Sequence, residues 1–179
     1  MLPFKKILCP TDFSDPSYES LKAAAELAGH FSADLYLVHV IQPIPLSNVS
    51  GLETMPAFDI SLYQEELKKG SEKTLQEVIE QRLPKGLLVH PLVVLGHPVE
   101  EILRIAQDQK MDLIVIATHG RTGLPRLLFG SVAEKVVRLA PIPVLVVAAP
   151  HGKPEASSLS RREFLGLSQT SEGVEPEKE

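Results

Sequence analysis

The feature that most constrains the fold is a set of short apolar runs with little polar alternation: residues 35–41 read LYLVHVI, 113–117 read LIVIA and 144–147 read VLVV. A strand with one face in water shows a period of two, so these runs require cover on both faces, as in a parallel sheet. Parallel neighbours cannot be joined by a tight turn and need crossover segments, usually helices. Two further runs complete the set. One is 7–9, which reaches Pro10 and Thr11; the other is 87–95, where Pro91 lacks an amide donor and suits an edge strand.

The intervening segments supply those helices. Ser14-Asp15-Pro16-Ser17 marks a helix start, with Ser14 as cap and Pro16 in the first turn. Leu21, Ala24, Ala25 and Ala28 then share one face, and Gly29 or His30 is the expected stop. A second helix is expected over 61–83, with Leu67, Ser71, Leu75, Val78 and Arg82 at helical spacing and Pro84 and Gly86 beyond its end. After the turn Gly96-His97-Pro98, a third carries Val99, Ile102, Leu103 and Ala106; a fourth, from Ser131, carries Ala133, Val136, Val137 and Ala140.

This strand–helix alternation predicts an open parallel α/β domain over residues 1–150, with helices on both faces of the sheet. A closed eight-stranded barrel would need many more repeats. The length of 179 residues suits one such domain. Residues 151–179 change composition, and the pair Phe164-Leu165 is not a core; they read as a polar tail, either disordered or a short docked helix. Between Gln42 and Ile60 the chain loses periodicity and gathers Pro43, Pro45, Gly51 and Pro56, which suits either a cover over a site or a surface insertion.

A net charge of -5, from 18 basic and 23 acidic residues, disfavours a general nucleic-acid binder, which needs concentrated cations to displace phosphate counterions. Local basic groups, Lys5 and Lys6 or Arg121 and Arg126, could hold a small anion or only solvate the surface. No apolar run reaches membrane-spanning length and MLPFKKILCPTD lacks a secretory core, so the expected location is the cytoplasm. The single cysteine, Cys9, lies in an apolar run and reads as packing rather than a nucleophile. His39, inside a strand, reads as a satisfied core or edge histidine before a catalytic one, and His90 and His97 share no recognisable metal-ligand spacing.

Ligand chemistry in such a fold belongs at the carboxyl ends of the strands, near a reversal of strand order. There the sequence places Ala117-Thr118-His119-Gly120-Arg121-Thr122-Gly123, running on to Gly130-Ser131 at a helix start. Gly120 and Gly130 let backbone amides approach an anion, and Ser131 adds a hydroxyl at the positive end of its helix. The segment fits a phosphate site; it also fits a plain connecting turn. Asp12, at the end of the first strand beside Pro10 and Thr11, offers a carboxylate to ribose hydroxyls or, alternatively, caps the following helix. The backbone of Val40 or Ile41 could face a flat base.

These segments, KKILCPTDFS, LYLVHVI, DLIVIATHGRTG and LLFGSVAEKVVRLAPIPVLVV, resemble the universal stress protein family over residues 3–148. The ATP-binding branch of that family carries Gly, two intervening residues, Gly, nine intervening residues, then Gly-Ser or Gly-Thr. Here the corresponding positions are Ala117, Gly120, Gly130 and Ser131, so the spacing matches and Ala117 departs from the first glycine. The resemblance implies an adenine nucleotide alpha hydrolase-like fold with sheet order 3-2-1-4-5, and a homodimer paired through the strand at 144–147; a monomer whose tail covers that edge is the alternative. It also implies an adenine-nucleotide site holding ATP, with Mg2+ or Mn2+ carried on the phosphates. Asp12 would sit at the ribose, the Val40 backbone at adenine, and Gly120, Gly130, Ser131 and Val132 at the phosphates. Pro10, Thr11, Ala117, His119, Arg121 and Gly123 complete the expected cofactor-binding set.

The expected function is ATP binding in a stress-response or regulatory role. Two alternatives stand beside it: a slow ATP hydrolase assisted by His119 and Asp12, with Arg121 or Arg126 near the phosphates, and a nucleotide-free interaction protein, which Ala117 keeps open. The sequence contains no dinucleotide-binding G-x-G-x-x-G, no P-loop ending in Gly-Lys-Ser/Thr and no G-x-S-x-G nucleophile elbow.

Overall fold

The computed structural model describes residues 2–43, 60–118 and 130–148. Five strands, β1 (Lys6–Pro10), β2 (Asp34–Ile41), β3 (Val89–Leu95), β4 (Leu113–Ala117) and β5 (Val144–Val147), form one all-parallel sheet in the order β3-β2-β1-β4-β5. The helices are α1 (Asp15–Phe31), α2 (Ile60–Arg82), α3 (Pro98–Asp108) and α4 (Ser131–Leu139).

Alternate residues of each strand point to opposite faces, and here both faces are apolar. Ile7, Cys9, Leu35, Leu37, Leu113 and Val115 join Leu21, Ala24 and Ala28 of α1 and Leu75 of α2 in one core cluster. Leu8, Val38, Ile114 and Ile116 join Ile102 and Ile105 of α3 and Ala133 and Val136 of α4 in the other. The unbroken apolar runs thus reflect two cores sharing one sheet. Pro91 stands exposed on β3, an edge strand where a missing donor costs no ladder bond on the outer side.

Three local expectations are corrected. α1 runs through Gly29 and His30 to Phe31, and stops at Ser32, whose backbone is left-handed (φ 53°, ψ 44°) and whose N–H donates to the Ala28 carbonyl. Gly29 does not break the helix: a Cβ there would meet nothing within 4 Å, and Phe31 anchors the last turn edge-on against Phe4 at 5.3 Å. β3 begins at Val89 rather than residue 87. Val137 is 45% exposed, because α4 buries only Ala133 and Val136 and leaves its outer flank beside the sheet edge uncovered; Ala140 lies just past the helix end. Among the described residues, no helix is long and apolar enough to cross a membrane. The expected tail at 151–179 and the segment 44–59 lie outside the described residues.

Candidate functional site

The chain crosses from β1 to β2 on one side and reaches β4 on the other, so the carboxyl ends of β1 and β4 diverge and leave a crevice. The first wall is the turn after β1. Thr11 is buried; its N–H donates to the Val38 carbonyl at 2.8 Å and its carbonyl accepts from His39 Nδ1 at 2.9 Å. A carbonyl can only accept, so the His39 proton sits on Nδ1. The Thr11 hydroxyl accepts from the Phe13 N–H at 3.1 Å and lies 3.0 Å from the Ser17 hydroxyl. Ser17 Oγ already donates to the Ser14 carbonyl at 2.8 Å, which leaves Thr11 Oγ1 as donor in the Thr11–Ser17 bond.

This relay holds an unusual backbone. Phe13 is left-handed (φ 63°), a conformation seldom adopted by bulky residues, and its ring lies against His39 with centroids 4.3 Å apart. The turn brings Asp12 Oδ1 to the Ser14 N–H at 3.1 Å and to the Ser14 hydroxyl, while Ser14 Oγ accepts from the Ser17 N–H to cap α1. Asp12 therefore does buttress the helix cap. The same bonds fix its half-buried carboxyl group on the crevice wall.

β2 supplies the second wall. Its Val38 carbonyl bonds to Thr11 beyond the end of β1, and the Ile41 carbonyl accepts from Gly96 N–H on the β3 side at 3.0 Å. In a parallel strand, residues two apart turn their backbone groups toward the same neighbour. Val40 thus presents its N–H and C=O toward the β1 side, past the last residue of β1.

The third wall joins β4 to α4. Thr118 N–H donates to the Val147 carbonyl at 2.9 Å, and the Thr118 carbonyl accepts from Gly130 N–H at 2.6 Å, pinning the start of α4 to the end of β4. Gly130 caps α4 with extended backbone and no side-chain capping bond. α1 fills this role with Ser14; among the described residues no side chain caps α4, whose amino end carries the positive end of the helix dipole.

These walls enclose a cavity of about 960 Å³. Pro10, Thr11, Asp12, Val40, Ala117, Gly130, Ser131 and Val132 all line it; His119, Gly120, Arg121 and Gly123 lie outside the described residues. Ala117 ends β4 nearly buried, at 7% exposure. The volume is within the usual range for small-molecule sites, about 300–1,000 Å³. Sequence reasoning missed Phe13 and His39 as lining residues, and a whole further wall, α2, through Tyr63, Glu66, Leu67, Gly70, Ser71 and Thr74. The signal available was Ser71: a polar residue in register between Leu67 and Leu75 marks a helix face turned to something other than core. Cys9 takes no part. It points into the α1–α2 core, where burial pushes its thiol up to about 12 against a weaker opposing contact from Ser20. Among the described residues no group of three His, Cys, Asp or Glu could hold a metal ion.

Residues 3–148 match the model of the universal stress protein family. The chain belongs to the universal stress protein family. Universal stress protein MJ0531 of Methanocaldococcus jannaschii is 40% identical over 147 residues, covering 82% of this chain and 84% of its own. The solved structure of MJ0577, from the same organism, superposes with a TM-score of 0.70 at 31% identity, over 83% of this chain and 99% of its own. A universal stress protein solved in complex with cAMP superposes with a TM-score of 0.58 at 24% identity, over 80% of this chain and 97% of its own, a likeness of fold. In this universal stress protein the crevice, the amino end of α4 and the fixed Asp12 carboxyl group occur together at one end of the sheet.

Proposed function

We propose that this universal stress protein binds an adenine nucleotide, ATP, in the cavity at the carboxyl ends of its strands and acts as a stress-response or regulatory nucleotide-binding protein. The observation that carries the reading is the division of one cavity into three chemistries. Backbone polar groups of Val40 offer edge-on hydrogen bonds to a base, the Asp12 carboxylate can accept from ribose hydroxyls, and the α4 terminus with Ser131 offers donors to phosphate. A carboxylate at the ribose and amides at the phosphates also keep like charges apart. Mg2+ or Mn2+ would ride on the phosphate oxygens, and Gly120, with His119, Arg121 and Gly123, would complete the anion loop. Ala117, at the end of β4, lines the same cavity.

The same reading takes residues 1–150 as the functional domain in the cytoplasm, with 151–179 as a polar tail. A second copy would pair along β5, whose Leu145 is 40% exposed. Calorimetry with ATP, AMP and adenosine in the presence of Mg2+ tests the binding. Saturable heat with all three, strongest for the phosphorylated ligands, is expected; no heat at millimolar ATP would overturn the reading.

A further inference from the structure

His39 breaks the apolar face that β2 turns toward α1 and α2. Residues two apart on a strand share a face, and the preceding members of this one, Leu35 and Leu37, are fully buried in the core with α1. Val93, opposite His39 on β3, packs against the same core. An apolar residue at position 39 would carry that core one step further. β2 places an imidazole there instead, half-buried and on the cavity wall.

The imidazole grips the turn after β1 at two points. Nδ1 donates to the Thr11 carbonyl at 2.9 Å, which fixes the peptide plane joining Thr11 to Asp12. The ring lies against Phe13, with centroids 4.3 Å apart and planes inclined at 32°. Asp12 is thus bracketed, because the carbonyl before it and the ring after it are both held by one side chain from β2. The register of β1 and β2 ends at Pro10 and Val38, and the Thr11 N–H adds one backbone bond beyond it, to the Val38 carbonyl. Past that bond, side chains hold the turn.

These side chains do different work. The Thr11 hydroxyl accepts from Phe13 N–H and the Asp12 carboxyl group from Ser14 N–H, so both act inside the turn and keep its shape. His39 reaches the turn from the neighbouring strand, one residue before Val40, and so sets where the turn stands relative to the Val40 backbone. Resting on the nucleotide reading, we propose that His39 is a positioning residue for ribose recognition, holding the Asp12 carboxylate where a nucleoside bound at Val40 can reach it. Loss of the imidazole then removes the contact to the ribose hydroxyls and spares the phosphate donors at the start of α4. A histidine that served packing alone would weaken ligands with and without those hydroxyls equally.

Two measurements on the full chain test this. Long-range proton–nitrogen correlation spectra of the imidazole in the free protein read the grip itself: a proton on Nδ1 of His39 is expected, and an Nδ1 without one would overturn the proposal. Calorimetry with the Mg2+ complexes of ATP and of dideoxy-ATP, which lacks both ribose hydroxyls, reads the consequence. The wild-type protein should prefer ATP at least about tenfold, as hydrogen bonds to a charged acceptor give. His39→Phe keeps a ring against Phe13 and removes the donor; it should bring the two ligands within about twofold of each other. His39→Asn puts an amide nitrogen near the place of Nδ1 and should restore a preference of at least about fivefold. Urea unfolding confirms that each variant folds. A folded His39→Phe protein that binds both ligands more weakly but keeps the full preference would overturn the proposal, as would a folded His39→Asn protein that loses it. Should His39→Phe fail to fold, the imidazole spectra and His39→Asn still decide. Equal affinity of the wild-type protein for the two ligands would overturn the ribose contact and this role of His39 while leaving nucleotide binding standing. Absence of heat with ATP instead overturns the nucleotide reading, and the role of His39 falls with it.

Discussion

Replacing Thr11 by Val separates the hydroxyl relay from the space Thr11 fills. The two side chains share a shape, so the change removes one oxygen from a site only 6% exposed. The relay runs from Phe13 N–H to Thr11 Oγ1, on to Ser17 Oγ and then to the Ser14 carbonyl. Valine leaves the Phe13 N–H without its acceptor at a residue already held left-handed, and Ser17 without a donor. One unsatisfied buried donor costs about 1–3 kcal/mol, and for this part-buried one about 2 kcal/mol is expected. For a chain of this size that lowers Tm by about 4–8 °C. Thr11→Ser keeps the oxygen, loses a methyl group and should cost about 1 kcal/mol. Urea unfolding reads the stabilities and calorimetry the ATP affinity. The affinity should fall with Val and recover with Ser, because Phe13 and Asp12 hold their places through this turn. Equal losses for Val and Ser, or no loss for Val, would refute the relay as the element that sets the site.

Three further outcomes follow from the same geometry. Gly96 has φ 154°, and a Cβ there would come within 2.7 Å of Glu101 Cγ, whose carboxylate is held by Arg104; Gly96→Ala should therefore cost about 1–3 kcal/mol in urea unfolding. Cys9 should resist iodoacetamide at pH 8 in folded protein and react on unfolding. Its folded value is raised from 9.0 to about 12, so its contribution to stability is fully present below about pH 9 and is lost as pH rises toward about 12, as pH-dependent unfolding would read. Ser131 is exposed at the start of α4, so Ser131→Ala should leave Tm within about 2 °C while weakening ATP about fivefold to tenfold by calorimetry.

The strands were legible because each is apolar on both faces, and Ile7, Leu8 and Cys9 bury into alternating cores without a polar break. The order of the strands was not in that periodicity; it came with the family resemblance. The end of α1 was misread because glycine punctuates a helix only when its backbone turns left-handed, and here Ser32 does so while Gly29 stays helical. Val137 was misplaced because a helix at a sheet edge is covered over a narrower stripe than its apolar spacing suggests. At the site, Asp12, Val40 and Gly130 to Val132 could be read because they end strands or begin a helix. The α2 wall was hidden: a helix face turned to a cavity is neither apolar enough to read as core nor charged enough to read as surface.

In the proposed binding mode, base, ribose and phosphate groups sit at the ends of β2, β1 and β4–α4. Amide chemical-shift mapping of the labelled full chain titrated with Mg2+-ATP tests it most directly. Saturable shifts centred on Thr11–Phe13, Val40 and Gly130–Ala133, with the α4 group reduced when adenosine replaces ATP, are expected. Shifts confined to the amino ends of the strands, or no shifts at these amides at millimolar nucleotide, would contradict it.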